Sequence, residues 1–480
     1  MSSSPPSPVT YIPPLRDGAC GTTPRSQQPL WPVVRQEMAQ MLRMMPTLCW
    51  ALLVQQQQRR PRAPMSSSSS WWADTAGMML HVVLACLEMG MMLTAVPLWF
   101  VLPGAVFAAW VCVCAAAVTA MCWMLNGKGQ QMHQCNAGSE GWMMGQEEAE
   151  DEKWMFLGGM GMSARHCHKQ TLPALSRLFS RPMVCICMRT YGMPFDMMAM
   201  MMQRCMPMPS QARRNLYSQM RCALLDDSMN RCVILCHNDG AVLVSQAVTQ
   251  LCADLPSDKL RKLEIYTFGA AAYEFVMPLG DANMESDPAH QSGDQASERR
   301  GIHVEHFAMA SDPFAQMGVL QSVRQNMDSR FCGGVFIMND NNATRQMCFG
   351  LTMEQYLMAL FPAQVMPCST ATSSAGRSVL DSVMTIDRDC AEKREIAAMS
   401  NYHAASQTKK GGGKRLSWTG LATMAGQRNG MNAGMVALEM ARKGCKNCDG
   451  HKGREVSWLV RYVVMEGKQA ADGMNGGRSP

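Results

Sequence analysis

Apolar residues fall into one long block and a series of short runs, and the two patterns predict different things. Between Asp74 and Lys128 the only formally charged residue is Glu88. That length holds two membrane spans of ~20 residues each, near Met78 to Phe100 and Val101 to Leu125. The stretch between them, Pro97-Leu-Trp-Phe-Val-Leu-Pro103-Gly104, has turn formers and no charge. The block therefore reads either as two spans or as a hairpin that dips in and returns on the same side. Both arrangements leave the two flanks on one side of the membrane, and Arg59, Arg60 and Arg62 ahead of the block favour the cytosol for that side. A buried pair of core helices is the soluble alternative. Glu88 is expected to snorkel or pair with the neighbouring helix, with a functional role for it and His81 as the other reading.

Beyond the block, short apolar runs alternate with segments of helical period. Strands are predicted at Lys153–Leu157, Pro182–Met188, Arg231–Cys236, Leu263–Phe268, Ile302–Phe307 and Cys332–Met338. Helices are predicted at His168–Ser180, Pro194–Met206, Ser210–Leu225, Val242–Leu255 and Thr352–Phe361. Strands alternating with helices imply an α/β fold with a mostly parallel sheet and flanking helices. Residues 1–76, with their Ser/Pro-rich start, glutamine run, basic cluster and serine run, are expected to be disordered. The expected order continues as the hydrophobic helical hairpin at 77–126, an acidic linker at 127–152, the α/β domain at 153–362, and a low-complexity insertion and C-terminal region at 363–480. Within that last region Met431–Lys443 is a predicted helix, and Glu455–Val464 is either a strand or a short buried segment.

Composition adds little that is specific. The net charge of +6 is small for 480 residues and the basic residues are scattered, so nucleic acid is not an expected partner. The 49 methionines are read as a compositional habit, because Met fills irregular gaps without specifying chemistry. Most of the 21 cysteines lie in apolar runs, Cys185, Cys187, Cys232 and Cys236 among them. They are expected to be reduced, which suits a globular part facing the cytosol, with the endoplasmic reticulum or a similar endomembrane as the location. The start of the chain has no secretory signal pattern.

Candidate chemistry centres on the break between the strand at Arg231 and the helix at Val242, where His237-Asn-Asp-Gly240-Ala forms a sharp turn. In α/β-hydrolases the reactive residue sits on such a turn, with a small residue two places on. Gly240 fills the small position, which puts Asn238 at the nucleophile position, and an amide is no nucleophile. Gly158 and Gly159, in the glycine-rich loop Gly158–Ser163, stand with Asp239 where oxyanion amides would come from, a tight turn being the equal alternative. Asp239 as a shifted nucleophile points away from such a pocket, and Ser245, one helical turn on, is expected to pack or cap. Cys445-Lys-Asn-Cys448 with His451, and His166-Cys167-His168, are incomplete as metal sets, so no metal and no cofactor is assigned.

A wider set of motifs points to a family. Leu224-Leu-Asp-Asp227, Val-Ile-Leu-Cys-His-Asn-Asp-Gly-Ala, Lys-Leu-Glu-Ile-Tyr-Thr-Phe-Gly269, His-Val-Glu-His-Phe-Ala308 with Asp312, Gly-Val-Leu320 and Arg330-Phe resemble fungal membrane-associated, lipase-like α/β-hydrolase-fold proteins over about Trp154 to Pro362. Members with an intact pattern read His-Ser-x-Gly-Gly at the turn, an Asp after the histidine-bearing strand, and Gly-His before a last helix ending Phe-Pro. The resemblance puts the nucleophile position at Asn238, the acid at Asp312 and the histidine near Gly350, so two of the three are altered. It implies a membrane-anchored α/β-hydrolase-like protein without serine-hydrolase turnover, a binding or scaffold module whose partners are membrane lipid and an acyl or ester-type molecule. The alternative is a lipid or ester hydrolase with a displaced catalytic set, in which Asp312 orients His403 or His451. His303 and His306 precede the acid, out of the usual chain order.

Overall fold

The computed structural model describes residues 8–15, 29–58, 69–126, 132–135, 151–159, 167–276, 302–327, 330–339, 350, 352–362, 379–387, 389–394, 396–397 and 456–463. Nine strands form one sheet: β1 (Val9–Ile12), β2 (Met132–Cys135), β3 (Glu152–Leu157), β4 (Met183–Ile186), β5 (Arg231–His237), β6 (Leu263–Phe268), β7 (His303–Met309), β8 (Gly334–Met338) and β9 (Met384–Ile386). Their order is β2-β4-β3-β5-β6-β7-β8-β1-β9. The six from β4 to β8 are mutually parallel. β2 and β1 run antiparallel to them at the two flanks, and β9 follows β1. The α/β expectation of a mostly parallel sheet with flanking helices therefore holds.

Both faces of the sheet are covered, which explains why its strands read as near-continuous apolar runs rather than alternating ones. On one face Met155, Leu157, Ile234 and Ile265 pack against the helices α6 (Gln211–Leu225) and α7 (Gly240–Asp254). On the other, Trp154, Phe156, Leu235, Phe268 and Phe307 meet α4 (Leu172–Phe179), α9 (Met353–Leu360) and the segment 456–463. The chain leaves β3 for β4 on one side, then returns through α5 (Met193–Cys205) and α6 to β5 on the other side of β3. The connections leaving β3 and β5 thus part to opposite faces. In open α/β sheets the crevice at the carboxyl ends of such a strand pair is where ligands bind.

The hydrophobic block forms α2 (Ser69–Val101) and α3 (Gly104–Asn126), antiparallel, with Leu80 and Leu84 against Cys122 and Leu125. The spans Met79–Val101 and Gly104–Asn126 are long and apolar enough to cross a membrane, and only 11% and 6% of their most apolar windows is buried. That exposure is unlike a buried pair of core helices. The turn is confined to Leu102 and Pro103, while Pro97 lies inside α2. Glu88 does not snorkel: it is fully buried, its carboxylate seated over Gly192 at the start of α5, where φ is +100° and any side chain would collide with it. Asn126 at the end of α3 holds the backbone of Thr190, two residues before Gly192, donating to the Thr190 carbonyl at 2.8 Å and accepting from the Thr190 N–H at 2.9 Å.

Several expectations for the flanks are corrected. The N-terminal region expected to be disordered supplies β1, in register with Val335–Met338, and the 29-residue helix α1 (Leu30–Gln58). What holds α1 is a tertiary partner: Glu37 meets Arg204 of α5 at 2.8 Å, both buried, and Arg204 also reaches the carbonyls of Ala271 and Met317. The expected linker contributes β2 and the start of β3. The C-terminal region supplies β9 and, at 456–463, a 3-10 turn lying on the sheet face rather than a strand. There Ser457 Oγ and the Trp458 N–H donate to the buried Glu305 carboxylate at 2.7 and 2.6 Å, and Tyr462 donates to Glu264 at 2.8 Å. Residues 136–150, the loop Met160–His166, Arg59, Arg60, Arg62, Met431–Lys443, His403 and the Cys445-Cys448-His451 set lie outside the described residues.

Candidate functional site

The crevice end of the sheet collects the residues singled out by sequence. β5 ends at His237, Asn238 takes the left-handed conformation with φ +47°, and α7 begins at Gly240. Asn is among the few side chains that tolerate this region. The turn is pinned from the β6 end: Asn238 N–H donates to Phe268 O at 2.9 Å, and Ala271 N–H donates to Asn238 O at 3.1 Å. A Cβ on Gly240 would stand 2.8 Å from Leu157 O, so glycine is what lets α7 come this close to β3. From β3, Gly159 closes on the same turn: a Cβ there would be 2.8 Å from His237 O and 2.9 Å from Asn238 Cβ. Gly158, Gly159, Asp239 and Asn238 are thus neighbours around this turn.

Asp312 and Gly350 join them. Gly269, just past β6 with φ +64°, marks the meeting point, because a Cβ on it would collide with Asp312 Oδ2 and lie 2.6 Å from Asn238 Oδ1. Gly350, φ +65°, would place a Cβ 2.9 Å from Asp312 Oδ2. A side chain at 350 would therefore stand against the carboxylate. The group that bonds the carboxylate is instead Tyr356 of α9, whose hydroxyl donates to Asp312 Oδ2 at 2.6 Å and accepts from Met309 N–H at 3.2 Å. Asp312 Oδ1 accepts from Phe314 N–H at 2.8 Å and caps the short helix α8 (Pro313–Met317). Tyr356 was not legible in the sequence, since nothing in the helix around it distinguishes it from a packing aromatic.

Electrostatics oppose general-base work. Burial raises the Asp312 carboxyl from the ordinary 3.8 to about 8, against the opposing effect of the Tyr356 and Phe314 hydrogen bonds. The group is thus mainly protonated near neutral pH. His237 lies beside it, its Nε2–H donating to Gly350 O at 3.2 Å, and burial lowers its pKa to about 4. Its Nδ1 and both polar atoms of the Asn238 amide have no hydrogen-bond partner among the described residues. His306 is on the opposite face, bonded to Thr267 at 2.8 Å and Cys332 O at 2.9 Å, and His303 stacks on Trp458. Neither approaches the crevice. Ser245 donates to Glu274 O and is structural.

Over the crevice lies a methionine-rich cover. Val242, Ala271, Phe314 and Met317 at the ends of α7, β6 and α8 pack with Met197 and Met200 of α5 and Leu48 of α1. Met41, Met44 and Met45 extend it along α1. Among the described residues the arrangement offers the Asn238 amide, the mainly protonated Asp312 carboxyl and the uncharged, weakly basic His237 imidazole beneath apolar side chains. No protein-family model matches the chain, and no curated protein matches it.

Proposed function

We propose that the chain is a membrane-anchored α/β-hydrolase-like protein that binds an acyl or ester-type molecule, or a protein partner, without turning it over. The observation that carries this reading is Asn238 at the left-handed turn between β5 and α7. In serine α/β-hydrolases such a turn presents the nucleophile, and the close glycines and the carboxyl of Asp312 around an amide at that position support the reading. The carboxyl bonded to Tyr356 supports the same conclusion, because a triad acid is useful only if it orients a histidine. The methionine cover suits an acyl chain, since Met adapts its shape to irregular apolar ligands. The two exposed apolar helices supply the anchor, with the globular part on the cytosolic side of the endoplasmic reticulum or a similar endomembrane.

A fluorophosphonate probe tests the reading on the detergent-solubilised full chain. The expected result is no labelling, with Asn238→Ser equally unlabelled because a serine without a base is a weak nucleophile. Labelling of the natural chain that a single serine substitution abolishes would overturn the proposal in favour of a hydrolase with a displaced catalytic set.

A further inference from the structure

Three cysteines converge away from the crevice. Cys185 is the last residue but one of β4 and Cys187 lies just past its end, so the strand's period of two points both to one face. Cys167 opens the π-helical turn Cys167–Thr171 that leads into α4 on that face. The Cys167 and Cys185 sulfurs are 2.9 Å apart, Cys185 and Cys187 are 3.5 Å apart, and all three lie within 4.8 Å of one another. All are buried, in the cluster that contains Leu172 and Leu175. We infer that Cys167, Cys185 and Cys187 form a three-sulfur site for a thiophilic d10 cation, Zn(II) or Cu(I).

The geometry fits such an ion. Metal–sulfur bonds of ~2.3 Å require sulfur–sulfur edges of roughly 3.8 Å, and the sulfurs here, at 2.9 and 3.5 Å for two pairs and all within 4.8 Å, reach it by small side-chain shifts. A disulfide would use two of the sulfurs and leave the third with no role. The Cys185 hydrogen bond lowers the Cys167 pKa, but burial and Cys187 outweigh it and leave the Cys167 thiol well above its ordinary value, while Cys185 is pushed well up by its neighbouring thiols and by burial. Binding then releases three protons to solvent as three M–S bonds form, and affinity rises with pH. Glu354 of α9 accepts from Thr171 Oγ1 at 2.6 Å and acts on Cys167 from outside the three-sulfur group. Three thiolates satisfy Cu(I), and a tetrahedral Zn(II) would complete its shell with water. An ion here would clip the start of α4 to β4, fastening the far end of the segment that begins at Gly158 and Gly159.

The test uses the full chain purified under reductant. Elemental analysis after dialysis should find one equivalent of Zn or Cu, and competition with a zinc chelator or with bicinchoninate for Cu(I) gives the affinity for each. Cys167→Ser, Cys185→Ser and Cys187→Ser should each weaken binding at least a hundredfold, while serine at the exposed Cys222 leaves it unchanged. X-ray absorption on the wild-type protein needs no variant to fold and should show three sulfurs at about 2.3 Å. No bound equivalent, fewer than three sulfur neighbours, or a Cys167–Cys185 disulfide that persists when either ion is added to the reduced protein would overturn the site.

Discussion

Asp312 is a carboxyl group whose ionisation the fold opposes, and its pH dependence follows from that. The unfolded chain ionises near 3.8 and the folded one near 8, so between these values only the folded state keeps the proton. A raised acid pKa contributes stability that is lost as pH rises through that window. Asp312→Asn removes the titration while retaining the acceptor for Phe314 N–H, so its melting temperature should gain on wild type from about pH 4 to pH 8 and run parallel above. At about 1.4 kcal/mol per unit the full span is on the order of a few kcal/mol, and a constant difference across pH 5 to 8 in thermal scans would refute the assignment. Asn238 leads to a second expectation. Its left-handed backbone and orphaned amide each cost of order 1 kcal/mol, so Asn238→Gly should raise stability by about 1–2 kcal/mol and Asn238→Val should lower it. A destabilised glycine variant would mean that the amide has a partner. The turn at Asn238 was legible because turn chemistry is local, and Asp312 and Gly350 were singled out only through the resemblance, whereas Tyr356 came from a helix more than forty residues beyond the acid it bonds.

Elements show the same division. The parallel strands and α4 to α7 were readable because a strand buried on both faces and an amphipathic helix carry their burial pattern in their own residues. β1 and α1 were not, since four residues such as Val9–Ile12 become a strand only when β8 offers its edge, and a Met-rich helix with a buried glutamate needs its arginine. Arg204→Met should therefore destabilise by about 3–5 kcal/mol, because it leaves Glu37 buried without its counter-charge. The double variant Glu37→Leu with Arg204→Met should recover most of the loss. Trypsin cleavage at the exposed Arg35 and Arg43 reports on α1: equal sensitivity of the single and double variants would show that the pair does not hold the helix down. Glycine packing belongs at this scale too. Gly240→Ala sets a methyl 2.8 Å from the Leu157 carbonyl, and separating α7 from β3 should cost about 1–3 kcal/mol.

For the whole molecule, the antiparallel hairpin returns the chain to the side it left, so tags at either end should be protease-accessible on the same face of sealed membranes, and carbonate should not extract the protein. A protected C-terminal tag would mean that a single span forms. By itself the sequence determined an apolar hairpin of near-zero charge, a mostly parallel α/β sheet, and a strand-to-helix turn with an amide where a reactive residue would sit. These are statements about composition, period and adjacent residues, which the chain carries without being folded. Only the tertiary structure decided that Glu88 is seated on Gly192, that Glu37 and Arg204 fasten α1 above the crevice, and that Tyr356 takes the acid's hydrogen bond. It likewise decided that Cys167 meets Cys185 and Cys187, and that 456–463 lies on Glu264 and Glu305. Each of these pairs residues far apart in sequence whose burial is tolerable only together, and no local pattern records a partner that folding alone brings near.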